Sequence, residues 1–134
     1  MLQYHLNFYY SEGRKIGDFE LIQIGRLWSG DNSFYNAHVQ KDYYELTIIT
    51  SGEGTIYTNK VPTDVKEGDI YLSLPTDIHQ IKSSETNPLD FDFFTFRTSN
   101  EEFASIFEKI AINLHNPSKR VFSDRKINYL VSTA

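Results

Sequence analysis

Cysteine is absent from this 134-residue chain, which excludes disulfides, thiolate catalysis and cysteine-based zinc sites. No apolar run approaches the ~20 residues needed to cross a bilayer as a helix. The first residues, MLQYHLNFYY, lack the basic segment followed by an apolar stretch that marks a secretory leader. There is no Gly-x-Ser-x-Gly elbow for a serine nucleophile, and no Walker-type or Rossmann-type glycine loop to cradle a phosphate. Positive charge is scarce in the larger part of the chain: residues 1–96 hold 7 Lys and Arg against 14 Asp and Glu, whereas residues 97–134 hold 6 against 4. An acidic body repels phosphates, so nucleic acid is a poor direct partner for it.

Aromatic residues, by contrast, are plentiful: 10 Phe, 9 Tyr and 1 Trp, 15% of the chain. With 40% hydrophobic residues this composition excludes intrinsic disorder and supplies the core of one domain. Short β-type runs recur at Phe19–Trp28, Tyr43–Ser51, Thr55–Thr58, Asp64–Lys66, Ile70–Leu74, Gln80–Lys82 and Leu89–Phe96. Turn-forming clusters separate them, such as Ser29-Gly30-Asp31-Asn32, Ser51-Gly52-Glu53-Gly54 and Glu67-Gly68-Asp69. Many short strands with no helix between them predict a β-sandwich or barrel rather than a parallel sheet.

After Arg97 the period changes. Phe103, Ile106, Phe107, Ile110 and Leu114 share one face of a helix, and Ser99 with Glu102 has capping-box spacing. Asn116-Pro117 is expected to end that helix, and Ser123-Asp124 to start a second one that the chain's last residue, Ala134, interrupts. Such an interruption suggests a cut from a longer protein. Three regions follow: an arm at 1–18, a barrel at 19–97 and a helical segment at 98–134. The arm carries Tyr4, Leu6, Phe8, Tyr9 and Tyr10, with Gly13 and Gly17 as hinges. His5, His115 and the Lys119-Arg120 pair read as solvated surface.

Glu45 followed at Glu-x6-Gly by Gly52, then Gly68-Asp69-x5-Pro75-x3-His79, resembles the two half-motifs of the cupins. The particular form is similar to the N-terminal sensor domain of AraC/XylS-type transcriptional regulators. Gln23-Ile24-Gly25-Arg26, Tyr44-Glu45-Leu46 and the strand Asp92–Arg97 leading into a helix all fit that subfamily. The resemblance spans roughly residues 19 to 115. It implies a mainly β, cupin-like double-stranded β-helix (jelly-roll) barrel followed by a C-terminal helix. It further implies a homodimer that senses a small polar metabolite, a carbohydrate, as its effector inside the barrel, and a DNA-binding pair of helix-turn-helix units beyond this chain. A cytoplasmic location is expected from the composition, with which the lack of cysteine is compatible.

Metal-dependent cupins use His-x-His, Glu and a later His. Registered on Glu45, the His-x-His positions hold Val39 and Lys41, neither a ligand; His38 lies one residue off, and strand alternation turns it to the other face unless a bulge re-aims it. Two ligands make neither a closed nor a catalytic site, so no metal, no other cofactor and no catalytic residue is expected. Glu45 and His79 either anchor loops or face the interior and hydrogen-bond a polar ligand; a buried carboxylate needs a partner in either case. Phe91 and Phe93 share one strand face and Phe94 and Phe96 the other: one pair lines the barrel and the other packs under the helix. By comparison with sugar-binding members of the family, Phe91 and Phe93 face the pocket. Arg26 and Trp28 share a face of the first barrel strand and suit a small polar ligand such as a carbohydrate, although residue by residue core packing of the Phe pair and a surface ion pair for Arg26 are the simpler accounts. The expected ligand-binding set is therefore Arg26, Trp28, Glu45, Thr47, His79, Phe91 and Phe93. The expected function is that of a sensor, not an enzyme. A metal-dependent isomerase or dioxygenase of the cupin type and a stand-alone sugar-binding cupin are the alternatives.

Overall fold

A computed structural model of the chain describes residues 4–28, 34–39, 43–75, 77–113 and 120–123, with side chains for 13–27, 43–75, 77–109 and 120–123. Among the described residues the elements in chain order are ten strands and one helix: β1 (Tyr4–Ile16), β2 (Phe19–Trp28), β3 (Phe34–Val39), β4 (Tyr44–Ser51), β5 (Glu53–Thr58), β6 (Val61–Lys66), β7 (Asp69–Ser73), β8 (Ile78–Ser83), β9 (Asp90–Thr98), α1 (Glu101–Asn113) and β10 (Val121–Ser123). They form two antiparallel sheets, one ordered β1-β2-β9-β4-β7-β10 and the other β3-β8-β5-β6. From β4 to β9 the chain crosses repeatedly between the sheets, with the β5–β6 hairpin together in the four-stranded one, so the inner faces of both are built from residues close in sequence.

Alternation along each strand decides which side chains meet. Leu27, Ile49, Tyr71 and Phe91 from the six-stranded sheet pack on Ile56, Val65 and Ile81 from the other, with Leu89 sealing one end. Each is buried, so together they exclude water from one half of the interior. The turns at that end are interlocked. Gly52 carries a φ of +81°, a conformation open to glycine at little cost, and its carbonyl accepts the Glu67 N–H at 2.9 Å. Glu53 N–H donates to the Asn87 carbonyl at 2.9 Å, and Gly68 N–H to that of Ile49 at 3.0 Å. The two glycine turns of the sequence motif therefore fasten three loops to one another.

The outer face of the six-stranded sheet receives the helix. Phe103 and Phe107 of α1 meet Phe19, with ring centroids at 4.9 and 6.5 Å; Phe107 also meets Tyr44 at 4.5 Å and Phe96 at 6.1 Å. The division expected for the aromatic strand thus holds: Phe96 packs under the helix while Phe91 is in the core. Ile106, assigned to the same helical face, is 43% exposed, and the side chains of Ile110 and Leu114 lie outside the described residues.

Several local expectations change. The segment expected as an arm pairs with β2 from Tyr4 opposite Trp28 to Ile16 opposite Phe19, turning at Gly17-Asp18, and is the edge strand of its sheet. β3 occupies a stretch for which no strand was expected. The helix cap is Asn100, not Ser99: Asn100 Oδ1 accepts the N–H groups of Glu102 at 2.9 Å and Phe103 at 3.2 Å. Asn and Ser are equivalent in this role, and the position one residue later has the reach. Ser123, expected to start a helix, lies in β10 opposite Asp69; Asn116-Pro117, Ser29–Asn32 and residues 124–134 lie outside the described residues.

Candidate functional site

The apolar half of the interior stops sharply along each strand. On β4 the inward positions run Ile49, Thr47, Glu45; on β5, Ile56, Thr58; on β8, Ile81, His79. Cross-strand register aligns these changes. Tyr71 lies opposite Thr47, which lies opposite Phe93; Ser73 lies opposite Glu45, which lies opposite Thr95; His79 lies opposite Thr58. One end of the barrel is therefore polar, and its side chains are removed from water: Glu45 is 6% exposed, and Thr47, Thr58, His79 and Thr95 no more than 1%. Buried polar groups in such number are informative because each must be hydrogen-bonded to offset its lost hydration.

Most of that demand is met within the site. Ser73 Oγ and His79 Nδ1 share a hydrogen bond of 3.1 Å, which orients the imidazole so that Nε2 lies 3.5 Å from Glu45 Oε1. Thr95 Oγ1 donates to Glu45 Oε2 at 3.3 Å. These two contacts with Glu45 are longer than the 2.7–2.9 Å of charge-assisted hydrogen bonds. Thr58 and Tyr71 join hydroxyl to hydroxyl. Burial pushes the Tyr71 phenol up to about 12, so it remains a neutral donor and acceptor at physiological pH. Thr47 is different. Its hydroxyl is fully buried and has no hydrogen-bond partner among the described residues, although it stands in the row between Tyr71 and Phe93.

Of the residues expected at the site, the structure brings together Glu45, Thr47 and His79, with Phe93 in the adjoining row and Phe91 in the apolar core below. Arg26 is not with them. It lies opposite Asp92 on the outer face, one step along β2 from inward-facing Leu27, and forms a bidentate ion pair with Asp92 at 2.7 and 2.9 Å. That hydrogen-bonded pairing holds the guanidinium even further above its ordinary range. For Trp28 the backbone pairing with Tyr4 and Asp90 is described and the side chain is not. Ser73, Thr95, Thr58 and Tyr71 were missed. Their signal was present: each lies an even number of residues from Glu45, His79 or an apolar core position on its own strand or is paired with one, but small hydroxyl residues on a strand read equally well as solvent-facing.

Among the described residues no three His, Asp or Glu side chains gather to hold a metal ion. The backbone of β3 nevertheless passes close by. A bulge between Tyr35 and His38 shifts the register, and His38 then stands directly opposite His79. A separate cleft of about 710 Å³ lies on the far side of the four-stranded sheet, bordered by Thr55, Tyr57, Asp64 and Lys82. It is remote from the Glu45–His79 pair and its rim mixes carboxylates with lysines, so it is not the site that the motif marks.

With this geometry in hand, comparison with known proteins is decisive for the family. The model of the AraC-like ligand binding domain matches residues 21–127. The chain belongs to that family. No curated protein matches it in sequence. Among solved structures, this AraC-like domain is similar to the Schizosaccharomyces pombe Cnp3 cupin domain, with a TM-score of 0.58 and 12% identity over 75% of this chain and 67% of that one. It is similar to the protein YhaK from Escherichia coli, with a TM-score of 0.60 and 13% identity over 71% of this chain and 45% of the other. Photorhabdus luminescens plu4264 matches with a TM-score of 0.55 and 15% identity, over 79% of this chain and 82% of that one. At such identities the likeness establishes the cupin fold alone. Within the described residues no helix is long and apolar enough to cross a membrane.

Proposed function

We propose that this AraC-like domain is the effector-binding and dimerisation domain of a transcriptional regulator, and that its effector is a small polar metabolite, a carbohydrate, taken up at the polar end of the barrel. Glu45 and His79 supply an acceptor and a switchable donor or acceptor, Thr47 a hydroxyl, and Phe93 an apolar wall for the C–H face of a sugar ring. Arg26 has no part in it, because its guanidinium is committed to Asp92 on the opposite face. The observation that carries the reading is the buried Thr47 hydroxyl, which has no hydrogen-bond partner among the described residues and stands in the row next to Glu45 at the polar end of the barrel. A ligand hydroxyl would complete the hydrogen bonding there and favour the conformation that binds it better, which is the requirement for signalling to a distant helix-turn-helix unit. The domain acts as a cytoplasmic homodimer and performs no chemistry on its effector.

The test is a thermal-shift screen of neutral monosaccharides, sugar acids and small carboxylic acids, followed by calorimetry. A neutral sugar that stabilises the wild type and loses at least tenfold in affinity with Thr47→Val and Glu45→Gln supports the reading. If no compound shifts the melting temperature and both substitutions only destabilise the fold, the polar end is structural.

A second reading, a metal-dependent cupin enzyme, draws on the register of His38 with His79. Stoichiometric Fe, Mn, Ni or Zn in purified protein, lost on Glu45→Ala and on His38→Ala, would favour it over the sensor.

A further inference from the structure

Arg120 reads in sequence as one half of a solvated Lys-Arg pair, yet it is 5% exposed. Its Nη1 donates to Asp77 Oδ2, which is also buried. That carboxylate organises the bend between β7 and β8. Oδ2 also accepts the Leu74 N–H at 2.9 Å, Oδ1 accepts Asn59 Nδ2 at 3.2 Å, and the Asp77 N–H returns to the Leu74 carbonyl at 3.1 Å. The Asn59 carbonyl of the side chain accepts the Ile78 N–H at 3.0 Å, so the bend is held from both sides. His79 follows two residues after Asp77. Ser73, which orients the imidazole, immediately precedes Leu74.

The residues after Arg120 run from that bend along β7 toward the other end of the barrel. β10 pairs with β7, Val121 opposite Tyr71 and Ser123 opposite Asp69, and Ser123 Oγ donates to Asp69 Oδ1 at 2.6 Å. Val121 packs against the core cluster that contains Tyr71. Thus Arg120 and Val121, adjacent in the chain, bear on His79 through the bend and on Tyr71 through the sheet.

A buried carboxylate whose cation is removed is left with an uncompensated charge, which the fold relieves by admitting water or moving the group. Movement of Asp77 releases the Leu74 N–H and the Asn59 amide together, and with them the bend that places His79. We propose that Arg120 is a positioning residue for the polar site, and that the docking of Arg120–Ser123 and the arrangement of His79 are energetically coupled, each stabilising the other by the same factor. Calling the polar end a ligand site rests on the function proposed above; the coupling does not.

Hydrogen exchange of the full chain, read by mass spectrometry and amide NMR, tests it without a ligand. Arg120→Met is expected to speed exchange at least tenfold across Leu74–His79, while Ile49 and Ile56 keep wild-type protection; Arg120→Lys should recover part of the loss. Reciprocally, His79→Ala should speed exchange at Val121–Ser123 at least tenfold. If Arg120→Met does not fold, the Asp77→Asn/Arg120→Met pair removes both charges and is read the same way. Uniform changes throughout the barrel, or wild-type exchange in the distant segment of either variant, would overturn the coupling. The neutral-sugar panel is then run on Arg120→Met. A sugar that binds wild type should bind this variant at least tenfold more weakly, and equal affinity would overturn the positioning role. A panel silent on wild type counts against the ligand reading, while the exchange data still decide the coupling.

Discussion

Gly52 and Gly17 share a backbone conformation but not a setting, and replacing each by alanine separates two costs. Gly17 has φ +62° and Gly52 φ +81°, so an L side chain is strained at both. A left-handed residue other than glycine costs about 1–2 kcal/mol. At Gly17 a Cβ would meet nothing within 4 Å, and that strain is the whole effect. At Gly52 the Cβ would stand 1.9 Å from the Pro88 carbonyl oxygen and 2.9 Å from that of Asn87, where ordinary contact begins at 3.4 Å. The obstacle is backbone, and it belongs to a loop that holds Glu53 N–H and sits over Leu89. Relieving the clash means opening the loop by more than an ångström. That loosens the Glu53–Asn87 and Glu67–Gly52 bonds, each with a net contribution of about 1 kcal/mol. Gly52→Ala is therefore expected to cost about 3–4 kcal/mol. With an unfolding entropy of about 2.1 cal/mol/K per residue, this lowers Tm by about 11–14 °C, against about 4–7 °C for Gly17→Ala. Urea titration of the two variants beside the wild type measures both. A difference between them of less than 1 kcal/mol would refute the steric account and leave the motif glycine with nothing but its backbone conformation.

Tyr71 should resist ionisation: its absorbance at 295 nm in the folded protein is expected to titrate near pH 12, after the exposed tyrosines. Because the unfolded chain releases this proton near 10 and the folded chain does not, unfolding is favoured as pH rises between those values, and stability should fall by about 2–3 kcal/mol across the window; a Tyr71→Phe variant whose alkaline stability falls just as steeply would contradict the assignment. Asn100→Ala should cost about 1 kcal/mol in chemical denaturation and Ser99→Ala a few tenths at most, and the reverse order would return the cap to Ser99. Phe107→Ala removes a half-buried ring that touches Phe19, Tyr44 and Phe96, and is expected to cost about 2 kcal/mol and to expose α1 to protease before the barrel is cut, as followed by limited proteolysis; simultaneous loss of both would show that the helix and barrel unfold as one unit.

The strands that the sequence revealed are those with one face buried. β2, β4 and β9 carry alternating or continuous apolar runs; β2 has the expected limits, and those of β4 and β9 differ by a residue or two. β1 and β3 were missed for different reasons. The tyrosines, glycine and charges of β1 suit an edge strand as well as a loose arm, and β3 is a six-residue piece bearing Asn36 and His38 that only its pairing with β8 defines. The motif located Glu45 and His79, since Gly52, Gly68 and Pro75 constrain the turns around them. It could not locate Asp77's partner. Arg120 lies 43 residues away, beyond a helix, and nothing in a Lys-Arg dipeptide says that it will be buried. Long-range ion pairs are legible only once the register of β10 on β7 is known. Arg26 failed for the opposite reason: its residue type suits a sugar site, but a one-residue step along β2 turns it from the interior to the outside.

The same one-residue step ties the helix to the site. Tyr44 and Phe96 lie opposite each other on the outer face, where they receive Phe107; Glu45 and Thr95 are their neighbours in the chain, lie opposite each other on the inner face, and share a hydrogen bond. Adjacent residues of a strand cannot shift independently, because the peptide plane between them is rigid and its hydrogen bonds belong to the ladder. A tilt of β4 against β9 that changed the Glu45–Thr95 distance would alter the Tyr44–Phe96 stack by a comparable amount, and the helix rests on that stack. The polar end of the barrel is thereby bound to α1 through two strands and to β10 through the Asp77 bend. Two elements that leave the barrel in sequence thus return to it, one across the outer face of the six-stranded sheet and one at its edge, and a ligand that tightened the polar end would act on both.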